Sequence, residues 1–526
     1  RYRKKVRADV QAELAAHFED ELKDCTTDEE KEQRAEQLIE QFGDAKLLGI
    51  LLRRAKKRCR PLWRTIVALT FQTIGILILL SILYTAWFIS GKPNVSIDYL
   101  AVLNEKAKPE LSEEDNAWPH YEKAIELYVK PSKYLEKTDA FREIKNLDGL
   151  DEQTRREIQK WLNQNQQSWQ EFVIASSKQF CYRKVEYNSK DEEKWLWNIL
   201  APELGTLRGL AKVGMWQSRI AVEQGQTQQG LENCLAIIRT GRLWQAKGTI
   251  IEQLVGLVIG RLGHNGILYI AETQDISADD LTKLQKQLSH IYPNGYSPMD
   301  IEAERITFMD IVQHTFTDGG LGGGHLIPER LVYIMELCSS VKDKKEFGRT
   351  LLYTGPALIH ARRDETIAKA NEIYDQLVQI SKMTPYQRSV SDISDEEILL
   401  SVRKWRYQLI SVFTPAIGRA SELVYRFQAL HDATLVVLAI LRYEKERGKL
   451  PENMRKLVED GYLNKLPLDP YSDKPLVYGK TDDGFTLYSV GLNFKDDGGE
   501  VARSRGRIAQ WGTDEEGDAV FWPIRN

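Results

Sequence analysis

The pattern of apolar and polar positions breaks sharply at one place in the chain. Residues 65–89, TIVALTFQTIGILILLSILYTAWFI, carry no charged side chain, whereas elsewhere apolar residues mostly recur at helical spacing with polar faces between them. A charge-free helix of this length covers roughly 30 Å of hydrocarbon with some tilt to spare. Trp63 at one edge and Tyr84 and Trp87 near the other stand where amphipathic rings meet lipid headgroups. The run is longer than the core of a signal peptide and is preceded by two patterned helices, so it is expected to span a membrane. A second apolar run, Ile250–Ala271, is interrupted by Glu252, Arg261, His264 and Asn265 and by Gly256, Gly260, Gly263 and Gly266. Those interruptions predict a core helix instead of a second span.

Before the span, Val10, Leu14, Phe18 and Leu22 form one stripe at four-residue spacing. Thr26-Thr27-Asp28 supplies a helix start and Gly43 a stop; Leu47, Leu48, Ile50 and Leu51 then open a third helix toward the membrane. The stretches AELAAHFEDEL and AEQLIEQFGDAKLL resemble the HAAS signalling domain, a small helical module found on the cytoplasmic side of membrane spans. The resemblance covers residues 1–52 and implies an interaction or signalling input, not an enzyme.

Beyond the span, residues 95–418 read as helix after helix. AWPHYEKAIELY resembles one helix of a tetratricopeptide repeat, and Leu231, Cys234, Leu235 and Ile238 mark the apolar face of a helical pair. The period does not recur three times, so an irregular domain of antiparallel helix pairs is expected, not a solenoid. Ser277 with Asp279 and Asp280 caps one helix start; residues 318–328 read as a flexible loop and 382–396 as a polar linker.

From Arg419 the character changes. A long helix runs to Gly448, and DDGFTLYSVG carries a hairpin-like strand pattern. Tyr443, Gly448, Leu450-Pro451, Leu457, Tyr462-Leu463, Leu466-Pro467, Asp469-Pro470, Tyr478, Tyr488-Ser489, Gly491, Gly498-Gly499 and Trp522 resemble, in order and spacing, the soluble domain of the type II secretion major pseudopilin. The resemblance covers residues 435–523 and implies a long helix on a small antiparallel sheet, closed by a calcium-binding loop. On this chain the matching or adjoining side chains are Ser489, Asn493, Asp496, Asp497 and Asp518, within a stretch that also holds Glu500, Asp514, Glu515 and Glu516. Calcium takes six to eight hard oxygens at flexible spacing, which such a loop can offer. Two other readings stay open: an acidic turn held by its own Asx hydrogen bonds, and carboxylates neutralised by Arg503, Arg505 and Arg507. No prepilin motif with a hydrophobic helix precedes this part, and its helix carries Glu422, Arg426, His431 and Asp432, which points to a tethered module instead of a pilus subunit.

The pattern therefore gives a mainly α fold in five stretches: 1–52 helical, 53–64 basic, 65–89 spanning, 95–418 helical, and 419–526 a small α+β part. Charge adds orientation. Overall 72 basic and 76 acidic residues leave a net charge of −4, which gives no reason to expect nucleic acid. Locally, Arg53, Arg54, Lys56, Lys57, Arg58, Arg60 and Arg64 crowd one flank of the span, while the other has only Lys92 and Asp98. The N-terminus is accordingly expected in the cytoplasm, the C-terminus outside it, and the basic run against the anionic lipid of an inner membrane. The five cysteines contain no C-x-x-C pair, which excludes a zinc ribbon, and Cys234 reads as a buried free thiol.

Chemistry is sparse. Asp310 and His314 lie one helical turn apart near Glu302 and Glu304, and are expected to form a surface ion pair. No H-E-x-x-H or G-x-S-x-G occurs, GGLGGGH lacks the G-K-[ST] of a nucleotide loop, and the histidines are scattered. The expectation is a non-enzymatic, membrane-anchored envelope protein, a receptor, scaffold or assembly component with protein partners on both sides of the bilayer. The alternative is a membrane-tethered hydrolase using carboxylates and His314.

Overall fold

The structure is a computed structural model and describes residues 4–58, 62–144, 147–187, 194–199, 203–245, 248–293, 295–296, 298–318, 323–338, 346–391, 397–398, 402–414, 417–512 and 517–524. Arg60 of the basic flank, residues 319–322 of the glycine loop, 392–396 of the linker and the acidic residues 514–516 lie outside these ranges. Contacts divide the chain into two units, Arg1–Phe88 and Ile89–Asn526. The fold is mainly helical with a small antiparallel sheet.

In the first unit the helices Lys4–Glu21 and Asp28–Phe42 form a hairpin. Phe18 stacks on Phe42 at 5.6 Å between ring centres, His17 meets the same ring edge-on, and Arg34 pairs with Glu21 at 2.8 Å. The turn is held by Glu30, whose Oε2 accepts from the amides of Thr26 and Thr27 at 3.1 and 3.3 Å. The next helix, Ala45–Arg58, leaves Leu47, Ile50 and Leu51 exposed.

The helix Leu62–Ile89 follows. Three of its hydroxyls turn inward on the backbone: those of Thr70, Thr73 and Thr85 donate to the carbonyls of Ile66, Leu69 and Ser81 at 2.8–2.9 Å, so these three need no outside partner. Among the described residues three helices are long and apolar enough to cross a membrane. They differ in burial: the most apolar window of Trp63–Ile89 is 0% buried, against 61% for Ile250–Thr273 and 72% for Arg419–Arg447.

The second unit is built around the helices Glu203–Glu223, Thr227–Gln245, Ile250–Thr273 and Ile417–Arg447. Glycine explains the close approach at its centre. A Cβ on Gly241 would lie 2.6 Å from the Gly260 nitrogen, and one on Gly263 would lie 2.7 Å from the Cys234 carbonyl oxygen. The glycines that interrupt the second apolar run are thus the surface on which it packs. Tyr121, from the helix Trp118–Glu126, is fully buried and donates to Thr240 at 2.8 Å, tying an outer helix pair to this centre. Cys234 is a buried free thiol, 3.3 Å from the Ser218 hydroxyl.

The segment that follows residue 89 is stitched to the helix Glu302–Thr315 and the residues after it. Pro93 bridges to Thr317, Asn94 donates to Asp318 at 3.1 Å, and Ile97 pairs with Gln313. The helix Tyr99–Ala107 comes next, capped by Asp98, which accepts from Ala101 at 3.0 Å.

At the C-terminal end, β1 (Val477–Thr481), β2 (Gly484–Ser489) and β5 (Ala519–Trp522) form an antiparallel sheet in the order β1-β2-β5, with a bulge at Leu487/Tyr488. β3 (Arg503–Ser504) and β4 (Arg507–Ile508) make a separate small ribbon in the loop between. The helix Ile417–Arg447 packs on β2 and β5, and also on the Ile250–Thr273 and Ala278–Ile291 helices, so it belongs to the helical core as much as to the sheet.

Candidate functional site

Three places bear on function. At the C-terminal loop the structure brings Ser489, Asn493, Asp496, Asp497 and Asp518 into one neighbourhood, each engaged within the loop. Ser489 donates to buried Asp469 at 2.8 Å. Asp496 accepts from the Tyr488 hydroxyl at 2.9 Å and the Gly498 amide at 3.0 Å. Asp497 accepts from the Gly517 amide at 2.6 Å and the Asn493 side chain at 2.7 Å, and the amide bond comes first in holding its carboxyl below the ordinary range. Asp518, fully buried, accepts from the amides of Gly499 and Asp497 at 2.7 and 3.2 Å. Burial, reinforced by Asp496 and Asp497, pushes its carboxyl up to about 6. Among the described residues no group of three or more His, Cys, Asp or Glu side chains is arranged to hold a metal. Arg503 donates to the Gly506 carbonyl at 3.4 Å.

Asp310 and His314 correct the expectation of a surface pair. Asp310 is 1% exposed and His314 8%. The Asp310 carboxylate accepts from the Leu196 amide at 2.8 Å and from the Gln313 side chain at 2.9 Å. His314 Nδ1 lies 2.9 Å from the Asp310 carbonyl oxygen and 3.4 Å from its carboxylate, and the ring stacks on Trp195 at 4.7 Å between centres. The carboxylate is an internal acceptor that anchors the short turn Leu196–Asn198.

The third place is a cavity of about 490 Å³, assembled from the helix Tyr99–Ala107, residues 181–185 and 196–199, the turn into the helix Ile250–Thr273 and the start of the helix Glu302–Thr315. Its polar end is built on a helix start. Thr249 caps the Ile250 helix: its hydroxyl faces the Glu252 amide at 3.4 Å, and Glu252 Oε2 accepts from the Thr249 amide at 2.7 Å. Glu304 Oε1 accepts from the next amide, Ile250, at 2.8 Å. Two carboxylates thus face the positive end of one helix. Burial, set against that amide bond, pushes the Glu304 carboxyl above its ordinary range. Arg183 pairs with buried Glu203, lies 4.0 Å from Glu252 Oε1, and sits over the Trp118 ring at 5.1 Å. Lys106 and Asp300, also lining the cavity, pair with each other at 3.6 Å. The remaining wall is mostly apolar, with Leu103, Leu243, Trp244 and Ile251 among its side chains. At this size and lining it suits a small organic ligand.

Sequence reasoning passed over the cavity because its residues come from four distant stretches. The one local signal was Thr249-x-x-Glu252, a capping box at the start of the second apolar run. It also missed that His264 and His431 meet in the core, 3.4 Å apart and edge-on. No family model matches the chain, and no curated protein or solved structure does.

Proposed function

We propose that this chain is a non-enzymatic membrane receptor of the bacterial inner membrane. Residues 65–89 cross the bilayer once, the N-terminal helical unit is cytoplasmic, and the large helical body binds its ligand outside. The observation that carries the receptor reading is that the roomy cavity has the helix Tyr99–Ala107 as one wall, and this helix begins ten residues after the apolar helix ends. An occupant would touch the piece of chain that leads to the membrane. Asn104 reinforces the link by pairing in both directions with the Val185 backbone at 2.8 Å.

The single span is supported by the contrast between the bare helix Trp63–Ile89 and the two mostly buried ones. Its direction is supported by the basic flank on the N-terminal side. The Phe18–Phe42 hairpin supports a HAAS-like input domain, and Leu47, Ile50 and Leu51 give it an apolar face for a protein partner or the bilayer surface. The long helix on a small sheet supports a pseudopilin-like module at 419–526. Calcium belongs to the proposal at the loop of Asp496, Asp497 and Asp518, whose mutual repulsion a cation would relieve. The topology is tested by adding protease outside sealed spheroplasts. Cleavage beyond Gly91 with protection of residues 4–58 is expected, and protection of the body instead contradicts it.

A further inference from the structure

We propose that the cavity takes an organic cation, an ammonium or guanidinium head on a compact apolar body, with the head at Glu252 and Glu304. This rests on reading the body as a ligand-binding domain, but not on its topology.

Among the described residues the charges at the polar end do not balance. There three carboxylates, Glu203, Glu252 and Glu304, stand against the guanidinium of Arg183. Arg183 pairs with Glu203 through Nη1, and its Nη2 lies 4.0 Å from Glu252 Oε1, close enough to attract that carboxylate but beyond hydrogen-bond range. Lys106 and Asp300 cancel one another. The helix start offsets part of the excess, since Thr249 and Ile250 each donate one amide to it. Those bonds engage Glu252 Oε2 and Glu304 Oε1, leaving one oxygen of each carboxylate outside the cap.

Unbalanced carboxylates beside an apolar wall are costly, and Glu304 is accordingly held above the ordinary carboxyl range. A bound cation supplies the missing charge and its N–H groups supply donors, while its apolar body covers Leu103, Leu243 and Ile251. An anionic ligand would add to the imbalance. A neutral one would leave it in place.

The test uses the full chain in nanodiscs of zwitterionic phosphatidylcholine, titrated calorimetrically with 4-phenylbutylamine, 4-phenylbutanol and 4-phenylbutanoate against empty discs. The amine is expected to bind and the other two to bind at least about tenfold more weakly, the scale of one charge-assisted hydrogen bond. Glu252→Gln and Glu304→Gln keep an acceptor for the helix cap, so the fold should hold, while amine affinity falls about tenfold or more. Ile251→Trp, at an exposed position of the wall, should block entry without touching any charge. Equal or tighter binding of the alcohol or the carboxylate overturns the cation assignment and leaves the ligand-binding reading standing. Failure of all three probes overturns both. Amine binding indifferent to all three substitutions places the ligand elsewhere and also overturns the proposal.

Discussion

Gln313 and Ile97 hold each other in both directions: the Ile97 amide donates to Gln313 Oε1 at 3.2 Å, and Gln313 Nε2 donates to the Ile97 carbonyl at 2.9 Å. The same Nε2 donates to Asp310, which accepts from the Leu196 amide, and Leu196 lines the cavity. A hydrogen-bonded chain therefore runs from the segment beyond the apolar helix to the cavity wall. Gln313→Ala should leave the Ile97 amide unpaired, while the Ile97 carbonyl keeps the Tyr99 amide at 3.1 Å, and cost about 1–3 kcal/mol locally. Hydrogen exchange at residues 94–98 should speed up strongly; unchanged protection there would mean that the pairing carries no weight.

Asp310→Ala should be severely destabilising, by about 2–4 kcal/mol, because it strands the Leu196 amide and one Gln313 donor in the interior. Asp310→Asn keeps one acceptor and should cost less. Thermal melting of the two variants orders them. A shift of only a degree or so for both would restore the surface-pair picture and with it room for a hydrolase.

Two glycines should respond oppositely to alanine. A Cβ at Gly241 would meet only backbone of the facing helix, at 2.6–2.7 Å, so Gly241→Ala must push the helices apart and should cost about 1–3 kcal/mol or more. Gly205 is exposed, helical and has nothing within 4 Å of its added Cβ, so Gly205→Ala should stabilise by about 0.5–1 kcal/mol. Melting temperatures that move in the same direction would contradict the packing described for the core.

The C-terminal loop should show its charge strain in pH. The folded Asp518 carboxyl titrates at about 6, above its ordinary 3.8, so the folded state holds this proton more tightly. The stability gained that way is complete below about pH 3.8 and is lost as pH rises through about 6. Asp497 works in the opposite sense: its lowered carboxyl adds stability above the ordinary range that disappears as pH falls. Asp518→Asn should flatten the loss between pH 4 and 7. At pH 7, millimolar calcium should raise the melting temperature, magnesium much less, and Asp497→Ala should abolish the shift. Absence of a calcium shift would leave a loop closed by its own amides.

Much of the fold was legible because it is written in local periodicity. The bare apolar run, the amphipathic helix of Phe18 and the long helix ahead of a hairpin-like strand pattern all follow from spacing along the chain. Asp310 and His314 were misread because i, i+4 spacing says that two residues share a face and not where that face points. Phe308, Ile311 and Val312 beside them, all buried, carried the missing signal. The cavity was not legible at all, since Leu103, Arg183, Glu252 and Glu304 meet only through tertiary packing.

The account stands on one span and not three, and the two readings place residues 274–418 on opposite sides of the bilayer. Val390, 67% exposed within that stretch, separates them. A Val390→Cys variant, with Cys25, Cys59, Cys181, Cys234 and Cys338 replaced, would be treated in sealed spheroplasts with a membrane-impermeant thiol reagent. Labelling before permeabilisation is predicted. Labelling only after permeabilisation would contradict the account of one span with the N-terminus inside.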